Sequence, residues 1–118
     1  MPPREINCEV YGFGDKDRYA DGLERVEVYV SDEFVGDIER MPKEGERLEI
    51  TFSTRTGIYD GGIRNYQGRL PYVCPNLVSR KDGKKVSLAR VLKDNGVKPR
   101  DKVKIRISDS TWTLLVPR

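Results

Sequence analysis

Histidine is absent from this 118-residue chain. With it go the commonest general base and every nucleophilic triad or metal site built on imidazole. Most hydrolase mechanisms are thereby removed. What remains is a magnesium nuclease assembled from carboxylates and lysine, and its one faint pointer is Glu49 in EGERLEI (44–50), where alternating charges on a solvated strand account for the pattern. Cysteine is scarce too. Cys8 and Cys74 cannot hold a metal alone, and without a secretory signal they read as reduced core thiols rather than a disulfide. No apolar run approaches the roughly 18 residues of a membrane span. The opening MPPREINCEV has neither an apolar signal core nor an amphipathic basic helix. These absences point to a cytoplasmic protein that is not membrane-bound, has no cofactor and no resident metal, and is not an enzyme.

Two glycine- or acid-bearing loops invite a ligand and do not fit one. DKDRYADGLE (15–24) places Tyr19 and Ala20 where a calcium loop needs an acid and its glycine. GFG (12–14) is too short for a phosphate fingerprint and has no helix beside it.

What is present is charge, and it is unevenly spread. Residues 1–59 hold 8 Lys/Arg against 14 Asp/Glu, a net of −6, whereas residues 60–118 hold 14 against 5, a net of +9. Such a split puts opposite potentials on different faces of a small globule, and the basic face attracts an anion. The length suits one domain over 1–118, since domains commonly run to about 100–150 residues. No repeat, low-complexity tract or flexible linker divides it.

Period-two alternation marks strands at 5–11, 24–30, 47–53, 102–108 and 111–117, with a weaker one at 70–74. Turns are expected at YDGG (59–62), KDGK (81–84) and SDS (108–110). One helix is expected over SLARVLKDNG (87–96), capped by Ser87 and stopped by Asn95-Gly96. A second helical turn is compatible with Phe34, Val35 and Ile38 in 32–40. The architecture implied is a small mainly-β barrel with one or two short helices filling its openings.

Nucleic-acid recognition needs cations along the phosphates and planar or amide side chains at base edges. Arg55, Arg64, Asn65, Tyr66, Gln67 and Arg69 supply that mixture between residues 53 and 69, although the same residues also make ordinary polar hairpins. A second cluster, SRKDGKK (79–85), carries Arg80, Lys81, Lys84 and Lys85 against one acid and would position a backbone rather than read sequence. A third arm, 11–25, has Arg18 and Tyr19 near its tip, with acids at its root.

The stretch VSLARVLKDNGVKPRDKVKIRI (86–107) resembles the closing helix-turn-strand of the DNA-binding pseudobarrel superfamily, which includes plant auxin-response-type DNA-binding domains and effector domains of some restriction endonucleases. Leu88, Val91, Leu92, Asn95, Gly96, Val97, Lys98, Asp101, Val103 and Ile105 carry the resemblance, while Arg100 stands where a glycine is usual. Looped-hinge regulators of the AbrB type share this grammar but are much shorter. The resemblance implies an open seven-stranded barrel that docks two arms in the major groove of duplex DNA, as a regulator or as the recognition part of a restriction or defence system. Two alternatives stand beside it. One is a single-strand or RNA reader stacking bases on Tyr59, Tyr66 and Tyr72. The other is a protein-interaction barrel using a strand edge, with a partner protein or larger complex.

Overall fold

The structure is a computed structural model and describes residues 4–14, 18–19, 22–30, 46–65 and 71–115. In chain order the elements are β1 (Arg4–Gly12), β2 (Val26–Val30), β3 (Arg47–Thr54), β4 (Gly57–Arg64), β5 (Tyr72–Val73), β6 (Asn76–Ser79), β7 (Lys85–Ser87), α1 (Leu88–Asp94), β8 (Lys102–Ser108) and β9 (Thr111–Leu115). The possible helical turn at 32–40 lies outside the described residues, so α1 is the single described helix.

Alternation does what the sequence leads one to expect. In β1, Ile6, Cys8 and Val10 are buried while Glu5, Asn7 and Glu9 are exposed, and β8 buries Val103 and Ile105 in the same way. Each such strand buries one face, so the sheet must curl until its apolar faces meet. Seven strands do this in the order β3–β9–β8–β1–β2–β5–β4, and β4 pairs with β3 to complete the ring. The barrel is therefore closed, where the family resemblance implies an open one. Two-residue β5 links β2 to β4 in this ring, with Val73 opposite both Val28 and Ile63. Most neighbours are antiparallel, but β3 and β9 run parallel, with Phe52 opposite Trp112. Beyond the Cys74-Pro75 step the chain returns to the edge of β4 as β6, and β7 folds back on β6 as a hairpin.

One expected turn is strand instead. Asp60, Gly61 and Gly62 lie inside β4, and the reversal falls at Arg55-Thr56. Packing wins over local preference here. A Cβ on Gly61 would come within 2.8 Å of Leu77 Cδ2, and Arg47 lies across the space where a Gly62 side chain would stand. These glycines serve close approach rather than chain reversal. The turns at 81–84 and 108–110 form as expected, the latter with Asp109 at φ 54°.

Helix α1 closes the end of the barrel at which β1, β3 and β6 finish. Ser87 accepts from the Arg90 backbone N–H at 3.1 Å, and Leu88, Ala89, Val91 and Leu92 join the core. Gly96, at φ 77°, takes the left-handed position that ends the helix. The following turn holds Arg100 at φ 76°, with the Asp101 carboxylate accepting from the Lys98 N–H at 2.9 Å. An arginine thus occupies a backbone shape that glycine adopts freely, at a cost of roughly 1–2 kcal/mol. Arg100→Gly is expected to raise stability by about 0.5–1 kcal/mol despite losing an exposed ion pair to Glu24, read as a higher urea midpoint at constant slope.

Both cysteines are free and buried. Burial pushes the Cys8 thiol up to about 12 from an ordinary value of 9.0. The unfolded thiol ionises first as pH rises, so this contribution to stability is complete below about pH 9 and is lost progressively towards pH 12. Denaturation of wild type and Cys8→Ala across that range should show the wild type losing stability more steeply, by up to about 1.4 kcal/mol per pH unit.

Candidate nucleic-acid interface

Strand direction sorts the sequence-predicted residues into two ends. β4 begins beside the 55–56 turn and runs antiparallel to β6, with Tyr59 opposite Ser79. The β6–β7 turn therefore sits next to the β3–β4 turn, and the Arg80 N–H donates to the Ile58 carbonyl at 3.1 Å. Arg55, Arg80, Lys81, Lys84 and Lys85 share the helix-capped end of the barrel, and all five are exposed. The root of the 13–25 loop is there too. Arg64 and Asn65 leave from the opposite end of β4, eight strand residues away, which is roughly 25 Å. Tyr66, Gln67 and Arg69 lie outside the described residues.

The helix-end cations are not equivalent. Arg80 is held: its Nε meets Asp60 Oδ1 at 2.9 Å and its Nη2 donates to Thr51 Oγ1 at 2.7 Å. It braces β3, β4 and the β6–β7 turn together rather than standing free. Arg55, Lys81, Lys84 and Lys85 make no ion pair with a described residue. The one acid on the hairpin, Asp82, is engaged by the Lys84 backbone N–H at 3.0 Å.

Arg55 sits on a stiff mount. Thr54 Oγ1 accepts from the N–H groups of Thr56 and Gly57, both at 3.2 Å, and lies 3.0 Å from the Gly57 carbonyl. From beneath, buried Asn95 donates through Nδ2 to Thr56 Oγ1 at 2.9 Å and to the Val91 carbonyl at 2.8 Å. The helix terminus and the arginine-bearing turn are thus one unit. Asn95 was legible in the sequence only as a helix stop; its second role needs the barrel.

In the first arm, Arg18 is exposed and its Nη1 donates to the Gly22 carbonyl at 2.8 Å. Tyr19 turns inward, packs on the core and donates to the Pro75 carbonyl at 3.4 Å. It fixes the arm and does not point away from it.

At the other end, Arg47, which the sequence did not single out, stands directly opposite Arg64. Tyr29 and Tyr72 continue that row across β2 and β5. Cys74 lies close by and its thiol is raised by burial, an effect that Arg47 and Arg64 partly offset. Of the tyrosines in the stacking alternative, Tyr72 is 4% exposed and Tyr59 packs on the core, while Tyr66 is outside the described residues. The aromatic surface that does reach solvent is another one. Tyr11, 53% exposed, meets Phe13 edge-on at 5.2 Å and Tyr29 at 5.8 Å.

No group of three or more His, Cys, Asp or Glu side chains suited to a metal ion comes together among the described residues. No helix among them is long and apolar enough to cross a membrane. No family model, curated protein or solved structure matches the chain.

The Asn95–Thr56 contact has a measurable consequence. Thr56→Val keeps the side-chain shape and removes the acceptor, so it should cost about 1 kcal/mol of stability. It should also speed amide exchange at residues 55–57 while leaving β8 and β9 unchanged, as followed by hydrogen exchange.

Proposed function

We propose that this barrel is a non-catalytic module that binds double-stranded DNA, with its helix-capped end against the phosphates. The observation that carries the reading is the gathering of Arg55, Lys81, Lys84 and Lys85 at one end, exposed and without an ion-pair partner among the described residues. Cations neutralised by internal acids contribute little to a polyanion, because the counterions a protein displaces must be replaced by charge that is free to approach. The stiff Thr54–Gly57 turn adds a second argument. An arginine held on a fixed mount loses less freedom on binding than one on a loose loop.

Lys81, Lys84 and Lys85 serve as phosphate contacts and set register without reading sequence. Arg55 is the candidate base reader of this end, since a guanidinium bridges guanine O6 and N7 in two bonds. Arg64 and Asn65 have the right chemistry for base edges but stand at the far end of β4. A duplex that meets both ends lies along the outer face of β3 and β4, and 25 Å corresponds to about seven base pairs at 3.4 Å each. The resemblance of residues 86–107 to the pseudobarrel grammar agrees with this reading, and Arg100 keeps the left-handed turn that the usual glycine there would make.

The test is fluorescence anisotropy against random duplex DNA, matched single strands and RNA over a salt series. The expected result is tightest binding to duplex, with a log–log salt slope near −3 for the three lysine–phosphate contacts. Replacing Lys81, Lys84 and Lys85 together by alanine should flatten the slope by about three units across all sequences, whereas Arg55→Ala should weaken selected sites more than random ones. Preference for single strands, or binding insensitive to salt, overturns the proposal.

A further inference from the structure

At the same end of the barrel a cleft of about 250 Å3 opens between α1 and the strand ends beside it. One wall is a stripe of the helix and its stop, with Ala89 and Leu92 presenting apolar surface and Gly96 presenting none. The other wall is Val10, Val26, Leu23 and Pro99. Two cations stand at the lip, Lys93 in the last turn of α1 and Lys98 beyond it, both exposed and neither paired with a described residue. The single acid in the lining, Glu24, is already committed: it accepts from the Gly14 N–H at 2.7 Å and meets Arg100 at 3.4 Å.

An apolar floor with two ammonium groups at its mouth that pair with no described residue has a definite ligand chemistry. A neutral hydrocarbon leaves the lysines without a partner, and a cation is repelled by them. A group with an apolar body and one anionic head satisfies both features, with burial driving the body inward and the head staying at the wet rim. Size narrows it further. An apolar cavity of about 150 Å3 accepts benzene, so one of 250 Å3 takes roughly ten non-hydrogen atoms.

We propose that this cleft binds a small amphipathic carboxylate, an alkyl chain of medium length whose head group pairs with Lys93 and Lys98. The site is independent of the DNA-binding reading. It lies against the helix that carries Asn95, and so next to the mount of Arg55.

The experiment is an amide-resolved NMR titration of the intact chain with sodium octanoate, and in parallel with octan-1-ol, which keeps the chain and removes the charge. Octanoate should shift Leu23, Ala89, Leu92, Lys93 and Gly96 in a saturable way and bind about tenfold more tightly than the alcohol. The surface variant Lys93→Gln with Lys98→Gln should fold normally and bring octanoate down to the affinity of the alcohol. Ala89→Phe should abolish both by filling the cleft. Equal affinity for acid and alcohol overturns the carboxylate assignment, and shifts that do not saturate or fall elsewhere on the barrel overturn the site.

Discussion

Everything in this molecule depends on β3 being paired along both edges. One edge meets β4, its neighbour in the chain; the other meets β9 in parallel, bringing residues 51–53 beside residues 111–113. That second pairing is expensive in chain entropy, because it closes a loop of some sixty residues for three register pairs. Burial offsets the cost. Phe52 and Trp112, the two bulkiest fully buried side chains among the described residues, face each other across the seam, and removing them from water is a large favourable term. With the seam closed, the barrel has an inside and two ends, and only then do ends acquire different chemistry.

The helix-capped end is built by reuse of a few groups. Asn95 stops α1 and holds the Thr56 turn; Arg80 places its Nε on Asp60 and its Nη2 on Thr51. These fixed contacts engage Asn95, Arg80 and Asp60 and leave Arg55 and the hairpin lysines exposed beside them. The contrast with the β1–β8 wall is instructive. There Glu5 meets Arg106 at 3.5 Å, and Glu9 stands opposite Lys102, so two of the three cations of β8 face acids while Lys104 faces Asn7. The surplus of positive charge in the second half of the chain is therefore not spread evenly: part is balanced across β1 and β8, and part, at Lys81, Lys84, Lys85, Lys93 and Lys98, makes no ion pair with a described residue.

Much of the fold was legible in residue order. Alternation located β1, β2, β3, β8 and β9, and Ser87 with Asn95-Gly96 bounded α1, because a half-buried strand and a capped helix are decided by neighbours in the chain. The middle was harder. Asp60-Gly61-Gly62 has the composition of a turn, yet it runs straight because Leu77 and Arg47 need the space its missing side chains leave. The two-residue β5 is too short to carry a period, yet it is the link between β2 and β4. Among the site residues, chemistry picked out Arg55, Lys81, Lys84 and Lys85, but composition treated Arg80 as their equal. Its ion pair to Asp60 spans twenty residues of sequence and appears only once β4 and β6 are side by side.

The sequence by itself determined the strand faces, the helix and its caps, the absence of imidazole chemistry and the excess of positive charge in residues 60–118, since each follows from residue type and local spacing. Tertiary structure alone decided which cations stand together. Arg55 and Arg64 are nine residues apart in one segment, but an extended strand carries them to opposite ends, while Arg55 and Lys84 come from separate hairpins and meet at the same end because β4 pairs with β6. Proximity in a barrel is set by register between strands, and register is fixed by the core that all of them share.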